Sequence, residues 1–309
     1  MGCGISVGLS LLFPLSYVGF LYVMDRNGTD RNDPASVKKR FIAAGINNVL
    51  SMTVTWIVLN QKDNHPLRSM GFRLDGSFNA LVIPSVLVGV LYTGQWLMMY
   101  FDGQLKYIFS TREWRHSVVQ ITWVRDAIMA PITEEITFRC CSASLMIQCL
   151  SRSHTILICP LLFAASHFHH VGDDMRKGFS FSQAINRRAF QFLYTYVFGA
   201  YATYLFISTG HALAPIITHS LCNSLGLPLI MEIYGYPKRS QRNALWSAYF
   251  LGIAGFITLN MFCLEDLKEV TTITRFVEIV LPVFTRLTLN IMGYLISYED
   301  IRMCKKGCT

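Results

Sequence analysis

Apolar runs of about 20 residues, the length that carries an α-helix across a bilayer core, recur along this chain and constrain it more than any other feature. Seven approach or reach that length: Ile5–Met24, Phe41–Asn60, Asn79–Phe101, Ala189–Ser208, His211–Met231, Ala244–Leu264 and Phe276–Ser297. Two weaker runs, Val118–Phe138 and Thr155–His169, are broken by charge or by Pro160. The composition agrees, with 52% hydrophobic and 15% charged residues and a mean hydropathy of +0.37. A water-facing surface needs more charge than that. The expected fold is therefore all-α: a polytopic membrane protein of about eight transmembrane helices enclosing a polar cavity. No repeat of roughly 20–50 residues and no low-complexity segment divides it, so 1–309 is expected to be a single integral membrane domain.

The formal net charge of +8 lies mainly in short loops between the apolar runs. That distribution suits contact with anionic lipid headgroups, and there is no compact basic domain for nucleic acid. The loop Asp25–Arg40 ends in Lys38, Lys39 and Arg40, and Val171–Arg188 holds Arg176, Lys177, Arg187 and Arg188. Both loops lean toward the cytosol by the positive-inside rule, although other loops are mildly basic too. The nine cysteines include no CxxC pair and fall mostly in apolar segments, so they are expected to be mostly reduced and buried.

The ends carry weak signals. The opening MGCGIS fits a myristoylation pattern, with Cys3 as a palmitate acceptor. A lipid adds little to a helix that already spans, so a small-residue entry into the first span is preferred. Asn27–Thr29 is a glycosylation sequon only if its loop is luminal, and the basic flank argues against that. The final KKGCT places its lysines one residue too far from the end for a dilysine signal, and Cys-Thr is no prenylation box.

Within this apolar chain, PITEEITFRC carries Glu134, Glu135 and Arg139 close together. An ionised side chain at mid-membrane costs about 2.5–3.5 kcal/mol even on the gentler insertion scale. Glu135 and Arg139 are four apart and share a helix face, so they can pair, whereas Glu134 diverges from them by about 100° and needs another partner. In PLLFAASHFHH, Phe163 and His167 are again four apart, with His169 and His170 at the wetter end. In HALAPIITHSLCNSLG, His219 and Asn223 share one face. Three segments thus supply a free carboxylate, two histidines and a carboxamide that could converge in one wet cavity.

A carboxylate beside a neutral imidazole can bind and deprotonate water. A second imidazole and an amide can donate to the oxyanion of a tetrahedral intermediate. Together they suffice for metal-free peptide hydrolysis. Glu, His and His could instead hold zinc, but no HExxH occurs. Cys222 adjoins Asn223, yet an apolar setting disfavours its thiolate and no activating network is evident, so it is read as packing. The same polar cluster could serve a receptor, transporter or other binding protein. Against that stands the division into an activating pair and an oxyanion pair.

EExxxR at Glu134–Arg139, FxxxH at Phe163–His167 and HxxxN at His219–Asn223, in this order, resemble the type II CAAX prenyl proteases. GFRLDG at 71–76, APITEEITFR, FAASHFHH, FQFLYTYVFGAY and GHALAPIITHSLCN also resemble eukaryotic members of that family. The resemblance covers most of the chain and is strongest from Trp123 to Pro228, around a catalytic core expected at about 118–231. It implies an endopeptidase of the endoplasmic reticulum membrane, its site facing the cytosol. Such an enzyme removes the last three residues of prenylated Cys-a-a-X proteins such as small GTPases. It also implies Glu134 as general base, His167 as its partner in holding water, and His219 and Asn223 as oxyanion donors. Glu135 and Arg139 would be a supporting ion pair, with no metal or cofactor. A prenyl chain gains roughly 0.8 kcal/mol per buried CH₂ in lipid, so such a substrate already resides where a laterally open site could meet it.

Overall fold

The computed structural model describes residues 2–26 and 30–263, which are all-helical, with no strand among the described residues. Helix α1 (Cys3–Met24) buries Ser6, Ser10, Phe13, Pro14 and Tyr17. Their three- and four-residue spacing makes one inward stripe. Leu11, Leu12, Leu15, Tyr22 and Val23 stay outside. Helix α2 (Pro34–Leu59) begins where Asp33 accepts from the backbone N–H groups of Ala35 and Ser36, with Pro34 at the first helical position.

The polarity of α2 is the reverse of a water-soluble helix. It buries Asn47, Asn48, Ser51 and Thr55 and exposes Ile42, Ile46, Val49, Leu50, Trp56 and Ile57. In lipid an apolar side chain gains little by turning inward, while an unsatisfied polar group is costly, so the polar groups seek one another. Ser16 Oγ donates to Asn47 Oδ1 at 2.7 Å, and Asn47 Nδ2 donates to Thr137 Oγ1 at 3.3 Å. Thr137 Oγ1 in turn donates to Asn48 Oδ1 at 2.8 Å, and Ser10 Oγ donates to the Ser142 carbonyl at 2.9 Å. These bonds stitch α1 and α2 to the segment 121–146.

The expected run Asn79–Phe101 is not straight. It divides into α3 (Ser77–Leu91) and α4 (Thr93–Phe101), which meet at a 60° bend. Residues 121–146, here α5, follow one helical path that widens to π-helix at Arg125–Met129 and Ile136–Ala143, with α-helix at Ala130–Glu135 between them. Such widened turns are rare and concentrate at functional sites. From Ile121 on, the weak run Val118–Phe138 thus lies in a packed central helix whose stretch from Thr137 to Met146 is wholly buried.

Helix α6 (Arg152–Ser166) tightens into a 3₁₀ turn at His167–His170. Helix α7 (Phe181–Thr209) opens with a reciprocal capping box between Ser180 and Gln183 and ends at Gly210 in the left-handed region, φ 60°. It packs along α6 and against α8 (Leu213–Leu225), which also touches α3 and α5. Helix α9 (Arg239–Cys263) closes on the α3–α4 bend. There a Cβ on Gly94 would lie 2.3 Å from the Tyr249 ring, so the approach requires glycine.

Among the described residues, five helical stretches are long and apolar enough to cross a membrane, or six if the bent α3–α4 pair is one span. The chain is polytopic; of the eight spans expected for the whole chain, the described residues supply five or six. The expected run Ala189–Ser208 lies inside the 29-residue α7, which is not among the five. Gln191, Tyr194, Thr195 and Tyr196 lower its hydropathy. The run Phe276–Ser297, the last residue of Ala244–Leu264, the sequon at 27–29 and the KKGCT tail lie outside the described residues. Cys140, Cys141 and Cys159 are free and buried as expected, but Cys222 is only half-buried and Cys263 is exposed. Cys3 and Cys149 form a disulfide, because the start of α1 lies beside the turn that follows α5. Spacing could not show that pairing, since 146 residues separate the two.

Candidate active site

The site is built where α5, α6, α7 and α8 meet. At the junction between the α-helical and the second π-helical stretch of α5, Glu135 and Arg139 are both 0% exposed. Arg139 Nη1 donates to Glu135 Oε1 at 2.9 Å, as the four-residue spacing predicts. Arg139 Nη2 donates to the Gly199 carbonyl of α7 at 3.1 Å, and its guanidinium stacks 4.7 Å over the Phe163 ring of α6. One residue of α5 thereby ties three helices together. The fit is close, for a Cβ on Gly199 would come within 3.1 Å of Phe163 and Pro160 and 3.3 Å of Arg139 Nη2.

Glu135 has a second partner that sequence spacing does not reveal. His219 Nδ1 lies 2.7 Å from the same Oε1, 84 residues away in the chain. That bond orients the imidazole so that Nε2 lies 4.0 Å from Glu134 Oε2. Glu134 is the accessible member of the acidic pair, its side chain 20% exposed against 0% for Glu135. The divergence expected of adjacent helical residues is what separates a wet carboxylate from a dry one. Beside Glu135 Oε1, its Oε2 and Arg139 Nε are buried with no hydrogen-bond partner among the described residues.

Aromatic rings wall this group. The His219 ring centre lies 4.9 Å from Phe198 and 6.0 Å from Phe163. Phe163 also stands edge-on to His167 at 5.1 Å, so one ring touches both histidines. His167 sits where α6 tightens into its 3₁₀ turn, and its Nδ1 donates to the Phe163 carbonyl at 2.9 Å. With Nδ1 used in this way, Nε2 carries the lone pair.

Asn223 lies one turn beyond His219 on α8 and is exposed. Its Nδ2 donates to the Asp126 carbonyl in the first π-helical stretch of α5 at 2.9 Å. A carboxamide nitrogen has two N–H groups, so one remains for a ligand. Ser220 Oγ makes a parallel bond to the Ala127 carbonyl at 2.5 Å, fixing the same face of α8 on α5. Cys222 is half-buried and forms no part of the Glu135–His219 bond network.

Glu134, Glu135, Arg139 and His219 therefore form one contiguous group, with His167 joined to it through Phe163 and Asn223 standing at its edge. Phe198, Gly199 and the Asp126 carbonyl are members that residue-type reasoning passed over. Phe198 and Gly199 lie in the quoted FQFLYTYVFGAY, but apolar residues and glycine give no chemical signal of their own. A cavity of about 470 Å³ lies elsewhere, lined by Trp56, Asn60, His65, Arg68 and Arg73 among others, and holds none of the site residues.

The family model described as "Type II CAAX prenyl endopeptidase Rce1-like" matches residues 116–225, which hold all six expected site residues. CAAX prenyl protease 2 of Caenorhabditis elegans is 46% identical over 259 residues, 84% of this chain and 96% of that protein. The human protein of the same name is 35% identical over 268 residues, 83% of this chain and 80% of that one. Probable CAAX prenyl protease 2 of Schizosaccharomyces pombe is 30% identical over 256 residues, 80% and 90% of the two chains. No solved structure matches the chain significantly.

Proposed function

The chain belongs to the Rce1-like type II CAAX prenyl endopeptidases, and from that membership we propose that it cleaves the aaX tripeptide from prenylated CAAX proteins. It is a protease of the membrane, and its substrates are expected to include small GTPases. The site residues take these roles. Glu134 removes a proton from a water held jointly with His167 Nε2, and the hydroxide attacks the scissile carbonyl carbon. The oxyanion that forms accepts hydrogen bonds from His219 Nε2 and the free N–H of Asn223. Glu134 then returns its proton to the leaving nitrogen as the C–N bond breaks. The products are a prenylcysteine carboxylate and a free tripeptide.

The observation that carries this assignment is the His219 Nδ1 to Glu135 Oε1 bond, which turns Nε2 toward Glu134. With its Nδ1–H given to Glu135, the ring can donate from Nε2 only when doubly protonated. Glu135, itself balanced by Arg139, braces the ring and faces the charge the ring carries while it donates.

We assign the protein to the endoplasmic reticulum membrane with the site facing the cytosol. Support comes from the two basic loops, Asp25–Arg40 and Val171–Arg188. They flank the same end of the site, where Arg31 meets His170 and its carbonyl accepts from Arg125. The purified chain in detergent, given a prenylated CAAX peptide, should release the intact terminal tripeptide. Binding without cleavage would instead favour a non-enzymatic receptor or carrier.

A further inference from the structure

A Cys-a-a-X substrate has a feature that the catalytic group leaves unused: a free carboxylate three residues beyond the cysteine. Three arginines in and beside the two basic loops are already committed to carboxylates. Arg40 is held by Asp25 at 2.8 Å, Arg125 by Asp126 at 2.7 Å and Arg188 by Asp174 at 2.6 Å. Arg31, on the loop between α1 and α2, has no carboxylate partner among the described residues.

Arg31 is nevertheless held in place at two points. Its carbonyl accepts from Arg125 Nη1 at 2.9 Å. Its Nη1 meets His170 Nε2 at 3.5 Å, and His170 Nδ1 is bonded to Asp173 Oδ2 at 3.0 Å. Asp173 fixes Nδ1 as the donor, so Nε2 is left to accept from the guanidinium. Nε and Nη2 of Arg31 make no hydrogen bond among the described residues. Burial, and next the charge of Arg125, lower the pKa of the Arg31 guanidinium from its ordinary value, a strain that an incoming anion relieves. The acidic groups facing it, Asp126 and Asp173, are already paired with Arg125 and with His170 and Arg176.

A chain of side-chain contacts leads from Arg31 back to the site, and the charge of Arg31 is felt at Glu134. The His170 ring lies 6.5 Å from the ring of His167, and Arg31 Nη1 is one further contact of 3.5 Å away. An extended tripeptide reaches about 10 Å. We propose that Arg31 binds the C-terminal carboxylate of the substrate and so sets the cut three residues from the chain end. This specificity role rests on the protease function proposed above.

Two prenylated peptides of one sequence test it, one ending in a free carboxylate and the other in a carboxamide. The full-length wild type should cleave the carboxylate peptide with a kcat/KM about 10- to 100-fold higher, the range of a charge-assisted hydrogen bond. Arg31→Gln should erase that ratio by raising KM for the carboxylate peptide, while the carboxamide peptide is cut as before. Arg31→Lys should restore part of the preference. A wild type that cuts both peptides equally overturns the role of Arg31 and leaves the protease function standing, as does Arg31→Gln with an undiminished ratio. A wild type that cuts neither overturns both.

Discussion

His219 is bonded through Nδ1 to Glu135 Oε1 at 2.7 Å, on the same oxygen that accepts from Arg139 at 2.9 Å. One buried carboxylate oxygen therefore serves an arginine on its own helix and an imidazole from another. In the proposed mechanism the two glutamates divide between them what a single acid could not do, since a base must be wet and the brace of a buried arginine dry.

Glu134→Gln should keep expression and membrane insertion near the wild-type level while tripeptide release falls by about 10²- to 10⁴-fold, the usual loss when a general base is removed. Near-native turnover by this variant would show that another group activates the water.

Glu135→Gln should injure the protein differently. It leaves Arg139 as a buried cation without its counter-charge, and breaking such a pair costs about 3–5 kcal/mol. The expected result is a lower melting temperature and yield in detergent, together with lost activity because His219 is no longer oriented. A variant as stable as wild type would mean that the pair contributes little to folding.

How much of this was legible beforehand follows sequence distance. The Glu135–Arg139 pair is a helical-face relation between residues four apart, so it could be read from the chain and is found. The bond from His219 to Glu135 spans 84 residues, and only the packing of α8 on α5 creates it. The π-helical stretches around the glutamates have no sequence signature of their own. The α3–α4 bend was hidden for a related reason. Asn79–Phe101 is largely apolar from end to end, and the close approach of α9, with Gly94 against Tyr249 and Gly252 against the Val90 carbonyl, marks where it turns.

Gly199→Val tests the tertiary seat of Arg139. Branched carbons added where a Cβ already lies 3.1 Å from Phe163 and Pro160 must displace the ring or the guanidinium. Thermal unfolding should shift downward by an amount matching roughly 1–3 kcal/mol of overpacking, and cleavage should fall with it. Unchanged stability and activity would mean that α7 moves aside without cost.

Adjacent residues on α8 separate chemistry from packing. Asn223→Ala should reduce turnover by about 10²- to 10³-fold, the loss expected for one oxyanion donor. Cys222→Ala should retain most activity, because the proposed mechanism does not use its thiol. A folded but dead Cys222→Ala beside an active Asn223→Ala would replace the glutamate mechanism with a cysteine one.

Tripeptide release should survive prolonged exposure to strong chelators, since the proposed mechanism activates the water with Glu134 and needs no Lewis acid. Zinc that copurifies at one per chain, with activity lost on its removal and regained on its return, would sink that expectation.

The inverted polarity of α2 changes which positions carry ancestry. Ile42, Ile46, Val49 and Leu50 face outward and answer only to an oily surround, where one aliphatic shape does as well as another. Asn47 and Asn48 must each present a particular donor or acceptor to Ser16 or Thr137, and no neighbouring residue type substitutes cleanly. Drift is therefore free on the outside and constrained within. The positions most informative about descent are the sparse polar letters inside an otherwise interchangeable apolar run.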